Sequence, residues 1–122
     1  MNMDWNKRHR GYDMSAAEWV ARVPNELDVD AVGLWQIIPV GRHEFGLDGQ
    51  DLETFTRAVL KGLLAKGAIP ITGRGETWVA EHKYGSGPEE IIETVVKVWL
   101  SKNMREPDVE DVWFGTSTVL EE

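Results

Sequence analysis

Two of the six tryptophans stand in candidate strands beside carboxylates, and this combination suggests binding chemistry. Tryptophan is enriched at the positions that dominate the energy of protein interfaces, and carboxylates around it favour a positively charged partner. We therefore predict a partner-binding surface. Its residues are Glu76, Trp78, Asp108, Glu110, Asp111 and Trp113. The alternative is that both tryptophans form a second layer of core against the helices.

The three histidines, His9, His43 and His82, are the side chains best suited to acid–base or metal chemistry. No His-Glu-x-x-His or comparable zinc spacing occurs, and the absence of cysteine removes thiolate ligands. None of the four serines lies in a Gly-x-Ser-x-Gly elbow. We predict no catalytic residue, no cofactor and no metal site. An enzyme whose site unites His43 and His82 from distant parts of the chain remains an alternative.

The charge is strongly negative, at −8, and is unevenly distributed. Basic residues cluster at 7–10, whereas the tail 106–122 holds six carboxylates and no basic residue. A negative surface attracts basic proteins and repels phosphate. The sequence therefore predicts a basic protein partner and disfavours nucleic acid.

At 122 residues the chain is predicted to form one domain, 15–122, after a flexible N-terminal arm, 1–14. The basic N-terminus is not followed by the apolar stretch of a signal peptide. No segment approaches the roughly 20 apolar residues that cross a bilayer. These features predict a soluble, cytoplasmic protein without a membrane partner.

The first half of the domain is predicted to begin with two helices. A capping box at residues 15–18 starts a short helix that ends before Pro24. Residues 28–38 have helical apolar spacing, with Trp35 on the apolar face and Pro39 closing the helix.

Two further helices have clearer boundaries. A broad apolar stripe over 51–66 predicts a long helix that ends at Gly67, and Gly62 within it indicates a close contact with a neighbouring element. The last helix begins with Pro88. The preceding Gly-Ser-Gly, 85–87, is predicted to cap this helix rather than to bind phosphate.

Strands are predicted after the third and fourth helices. Alternation over 68–82 around a turn at 73–75 predicts a hairpin, in which Pro70 restricts its strand to an edge or a short segment. Residues 109–118 predict a C-terminal strand with Trp113 on the face opposite Phe114. The predicted class is α+β: three to four helices with a small antiparallel sheet.

The order of helices followed by a hairpin over 28–82 resembles the winged-helix family. That resemblance implies a transcription regulator whose third helix enters the DNA major groove. It would require the basic residues to converge on one face: Arg57, Lys61, Arg74 and the 7–10 arm.

The closing segment Glu-Pro-Asp-Val-Glu-Asp-Val-Trp-Phe, 106–114, together with size and acidity, resembles small acidic bacterial proteins, some of which are immunity partners of secreted toxins. This resemblance implies stoichiometric inhibition, in which an acidic face covers the basic active site of a toxin. Apolar strand edges at 69–71 or 112–114 offer a homodimer as a further alternative.

Overall fold

Three α-helices and a four-stranded antiparallel sheet form the part of the chain, residues 3–120, that the computed structural model describes. The predicted α+β class is confirmed. The helices are α1 (Ala16–Arg22), α2 (Gly49–Ala65) and α3 (Pro88–Trp99), and the strands are β1 (Val32–Gly33), β2 (Ile69–Arg74), β3 (Thr77–Ala80) and β4 (Trp113–Gly115). The strand order is β1-β4-β2-β3.

The three α-helices begin and end where local chemistry predicts. Ser15 Oγ accepts from the Glu18 amide at 3.1 Å, and the Glu18 carboxylate accepts from the Ser15 amide at 2.9 Å, which completes the capping box of α1. Gly67 follows α2 with a φ of 100°, a conformation that glycine adopts without strain. A Cβ at Gly62 would lie 3.0 Å from Pro24, so the predicted close contact is with the segment after α1.

The prediction of a second helix over 28–38 is wrong. A 3₁₀ helix (Val23–Asp28), β1, a second 3₁₀ turn (Leu34–Gln36) and a π-helix (Val40–Glu44) occupy this region. The Leu34 amide donates to the Val112 carbonyl at 3.0 Å. Pairing with the β4 strand therefore outweighs the helical apolar spacing. The winged-helix order is not confirmed by this arrangement.

The predicted hairpin is confirmed, but the restriction of the Pro70 strand to an edge is wrong, because β2 lies inside the sheet. The Pro70 carbonyl accepts from the Glu81 amide at 2.9 Å, so the proline nitrogen also points toward the β3 side. Glu81 lies just beyond the end of β3. Toward β4, Pro70 stands opposite Phe114, at a position that requires no donor. The missing N–H therefore breaks no interior ladder bond.

The C-terminal strand is shorter than the predicted 109–118. It spans only β4, because residues 108–111 form a turn and Ser117–Val119 form a 3₁₀ helix. Both edges suggested for a homodimer, 69–71 and 112–114, belong to interior strands that are paired on two sides.

The predicted N-terminal arm makes specific contacts over its described residues, 3–14. The His9 amide donates to the Met14 carbonyl and the Arg10 amide to the Glu44 carbonyl, both at 2.8 Å. Met3 and His9 are buried. This segment thus packs beside the π-helix, and its flexibility stays a prediction.

The two faces of the sheet have different neighbours. Residues in register on antiparallel strands share a face, so Val32 and Phe114 lie on one face, and Gly33, Trp113 and Ile71 lie on the other. Phe114 is fully buried and belongs to the same core cluster as residues of α2 and α3. The opposite face carries half-buried tryptophans.

One buried hydroxyl in α2 gives a stability prediction. Thr56 is fully buried, and its Oγ1 has no hydrogen-bond partner among the described residues. Because an unpaired buried hydroxyl costs about 1–3 kcal/mol, Thr56→Val should raise the free energy of unfolding in urea by about 1 kcal/mol. The half-exposed Thr54→Val is the control and should change it by less than about 0.5 kcal/mol. Destabilisation by Thr56→Val would contradict the assignment.

Candidate functional site

Three tryptophans, Trp35, Trp113 and Trp78, lie side by side on the sheet face away from Phe114. The ring centroids of Trp35 and Trp113 are 6.3 Å apart, and those of Trp113 and Trp78 are 5.3 Å apart. All three are half-buried. We call this set the tryptophan row. It presents aromatic surface with limited conformational freedom, a property of energetically dominant interface residues.

A glycine beneath the row permits this packing. A Cβ at Gly33 would lie 2.5 Å from Trp35 Cδ1 and 3.1 Å from Trp113 Cδ2. Trp113 is fixed from its other side, because its Nε1 donates to the Val109 carbonyl at 2.8 Å. At the far end of the row, Leu120 forms a parallel bridge with Trp78. The row is therefore positioned by the backbone of three separate segments.

Two hollows adjoin the row on the β1 side. The first has a volume of 420 Å³ and is walled by Met14, Trp19, Val32 and Trp113, among others. The second has a volume of 460 Å³ and is walled mainly by Trp19, Trp35, Pro39 and Val40. The hollows share Trp19 and Gln36 and are therefore neighbours on the surface; we call the two together the groove.

Carboxylates and one arginine lie at the groove. Glu26 and Asp30, both exposed, line the first hollow with Arg22, and Glu44 lines the second. One Asp30 oxygen accepts from the Ala31 amide at 2.8 Å. Across residues 3–120, no ion pair or side-chain hydrogen bond engages the Glu26 carboxylate. The first hollow therefore combines aromatic walls with excess negative charge.

The predicted acidic residues of the tail have unequal surroundings. Asp111 accepts two bonds from Arg105, at 2.7 and 2.8 Å, and another from the Asp108 amide at 2.7 Å. These bonds, first of all those from Arg105, hold the pKa of Asp111 below its ordinary value against the effect of its partial burial. Asp111 thus stabilises the turn before β4, and its charge is largely compensated by Arg105.

The six predicted site residues are not brought together into one patch. Trp78 and Trp113 are in contact, and Asp108 and Asp111 share the turn before β4. Glu110 lines a small cleft of 80 Å³ with Thr72 and Lys83. Thr72 pairs with Val79, whereas Trp78 is the next residue along β3 and points to the other face. The cleft therefore lies on the face of the sheet that the helices cover. Glu76 is exposed at the hairpin turn.

The Arg105–Asp111 pair predicts an acid-dependent loss of stability. Because the folded pKa of Asp111 is lowered, the folded state binds its proton less readily than the unfolded state. The stabilisation is present above the ordinary value of 3.8 and is lost as the pH falls below it. Urea unfolding should therefore show a smaller loss on acidification for Asp111→Asn than for the unmodified chain. Equal losses would contradict this role.

The histidines have different surroundings in the described part of the chain. His43 Nε2 is 2.9 Å from Glu106 Oε1, and Arg42 donates to Glu106 Oε2 at 2.6 Å. Burial raises the pKa of Glu106, but the bonds from His43 and Arg42 hold it below its ordinary value. His82 is exposed after β3. Residues 3–120 contain no group of three or more histidine, aspartate or glutamate side chains placed for a metal ion.

The basic residues proposed for DNA reading are partly engaged within the protein. Arg57 donates to Glu53 at 2.9 Å and to Glu93 at 2.7 and 3.2 Å, which links α2 to α3. These bonds, led by those to Glu93, raise the pKa of Arg57 and lower that of Glu93.

At the start of α3, the Ser86 amide donates to the Glu90 carboxylate at 3.0 Å. The helix thus satisfies this amide with its own carboxylate.

Sequence reasoning missed the part of the groove that precedes α2. The helical spacing of Trp35 predicts a core face of a helix, whereas pairing of β1 with the distant β4 places it at the sheet. Trp19 of α1 lines both hollows and stacks on Phe55, with the ring centroids 5.4 Å apart. For Glu26 and Asp30, no local pattern distinguishes them from other surface carboxylates.

Comparison of the chain with protein-family models, curated proteins and solved structures gave no match. None of the helices within residues 3–120 is long and apolar enough to cross a membrane. The fold and the site therefore define an α+β domain with an aromatic sheet face and an adjoining acidic groove.

Proposed function

We propose that this chain is a protein-binding module that recognises a basic protein through the tryptophan row and the carboxylates around it. The tryptophan row is the observation that supports the proposal. Trp113 contacts both Trp35 and Trp78, and the three half-buried indole rings form an apolar surface of the kind that binding partners cover. The net charge of −8 favours a positively charged partner.

Stoichiometric inhibition of a basic toxin is the specific form of this function that the resemblance to immunity proteins implies. It requires a rigid surface that does not reorganise on binding. The contacts of the row with Gly33, the Val109 carbonyl and Leu120, which reach its members from different segments, support this form of the proposal. Of the predicted residues, the proposal takes Trp78 and Trp113 as contacts within the row. Glu76, Asp108 and Glu110 are proposed as peripheral charges that attract the basic partner and set the salt dependence of binding. Asp111 contributes by holding the turn that carries its neighbours.

Reversing the charge of one exposed carboxylate tests whether that residue acts in partner binding rather than in holding the fold. We expect Glu110→Lys to weaken capture of the basic partner, so that it elutes at a lower salt concentration than from the unmodified chain. Glu110 is suited to this test because its exposed side chain makes no hydrogen bond or ion pair within residues 3–120. Asp111→Lys would also break the Arg105 contact and is therefore less informative.

The matched control is Glu89→Lys, which makes the same charge change in the exposed first turn of α3. It should leave the elution position close to that of the unmodified chain. Equal shifts of the elution position for both variants would show only a dependence on total charge. An unchanged elution position for Glu110→Lys would show that Glu110 takes no part in binding the partner.

A further inference from the structure

From the geometry of the groove, and resting on the proposed function, we infer that the first hollow receives an arginine side chain of the partner. The second hollow receives an apolar side chain from the same partner segment. The groove adjoins the tryptophan row at Trp113, which contacts Trp35 and Trp78 and also walls the first hollow. An extended segment that follows the groove thus reaches the row without leaving the surface.

The first hollow matches the two properties of a guanidinium group. Its flat, weakly hydrated cation stacks on aromatic rings, which Trp19 and Trp113 supply. Its fork of N–H groups bonds to carboxylates, and Glu26 and Asp30 stand at the same hollow. Lysine is a compact, strongly hydrated charge with no planar face, so the aromatic walls favour arginine.

The second hollow is apolar over most of its wall. Trp19, Trp35, Pro39 and Val40 surround it, while His43 and Glu44 lie at its border. His43 is bonded to Glu106 and is therefore oriented by the protein itself. Because Trp19 and Gln36 stand between the two hollows, neighbouring side chains of one segment occupy one hollow each.

Arg22 provides an internal test of the charge argument. It lines the first hollow with Glu26 and Asp30 and reduces their negative potential. Its removal should therefore strengthen binding of a cation, whereas removal of the carboxylates should weaken it. Opposite effects from residues of one hollow distinguish a cation site from a surface that depends only on packing.

The experiment is an NMR titration of the whole ¹⁵N-labelled chain, in which indole N–H signals are assigned by single Trp→Phe variants. The probes are two acetylated tripeptide amides, arginine-alanine-leucine and citrulline-alanine-leucine, because citrulline has the shape of arginine without its charge. We expect the arginine peptide to shift the signals of Trp19 and Trp113. The dissociation constant should rise about fivefold for the citrulline peptide.

The same titration is repeated on variants. The double variant Glu26→Gln, Asp30→Asn should bind the arginine peptide about fivefold more weakly, and Arg22→Gln should bind it about twofold more tightly. Equal binding of both peptides, shifts confined to Trp78, or no shift at millimolar peptide would overturn the inference. A lysine analogue that binds as tightly as arginine would overturn the choice of arginine.

Failure of this inference is distinguishable from failure of the proposed function. If the intact basic partner binds the Glu26→Gln, Asp30→Asn variant normally but binds Trp78→Ala weakly, the groove inference is wrong and the tryptophan row remains the binding surface. If it binds both variants normally, the proposed function is wrong as well.

Discussion

Replacing Trp113 by alanine is expected to weaken binding of the basic partner by about 2 kcal/mol or more, which is about 30-fold. Trp113 is central to the row, because it contacts both Trp35 and Trp78 and also walls the first hollow. Truncation removes its own contact area and leaves both neighbouring rings without lateral support. Titration calorimetry with the purified partner measures the loss.

The control for Trp113→Ala is Tyr12→Ala, which truncates an aromatic residue that is 70% exposed and packs beside His9 rather than beside the row. Its affinity should stay within about threefold of the unmodified chain. Because Trp113 also fixes the Val109 turn, Trp78→Ala is measured in parallel, and circular dichroism verifies that each variant is folded. A folded Trp113→Ala that binds within threefold would contradict a role in recognition.

Phe55→Ala is expected to lower the free energy of unfolding by about 3–5 kcal/mol. Phe55 is fully buried, and its ring lies 5.4 Å from Trp19 and 5.6 Å from Phe45. Its deletion leaves a cavity where α2 meets the α1 and π-helix segments. This is a large part of the 5–15 kcal/mol that typically stabilises a domain. Urea unfolding gives the value.

The reference substitutions for Phe55→Ala are Phe55→Leu, which keeps most of the volume and should cost clearly less, and Val98→Ala at an exposed position of α3. The latter should change the free energy by less than about 0.5 kcal/mol. A loss below about 1.5 kcal/mol for Phe55→Ala would contradict its central place in the core. Because Trp19 also lines the groove, Phe55→Ala should weaken partner binding even where the variant remains folded.

The predicted parts of the fold were those set by local chemistry. The capping box at Ser15, the apolar stripe ending at Gly67 and the Pro88 helix start each depend on residues within a few positions of one another, and all three helices are present. The hairpin is confirmed for the same reason. Its place inside the sheet was not predictable, because pairing with β4 joins residues that are far apart in the chain.

The segment after Pro24 shows why the spacing of apolar residues was insufficient to predict its backbone conformation. Val32, Trp35 and Ile38 have helical spacing, yet pairing with the distant residues 112–114 determines the backbone of residues 32–34. The error at this segment explains why the groove was missed, since Trp35 reaches the sheet face only when Gly33 is in a strand. Of the predicted site, Trp78 and Trp113 meet as expected for residues on one sheet face. The pairing of Asp111 with Arg105 was not foreseen.

The most direct measurement is affinity capture by the intact chain from lysate of the source cells at low salt. A salt gradient elutes the bound material, and mass spectrometry identifies it. We predict a basic protein that is captured in stoichiometric amount and released at moderate salt, because exposed charge pairs are screened under those conditions. Recovery of nucleic acid in place of a protein, or a column that retains nothing above background, would contradict the account of this chain as a module for a basic protein partner.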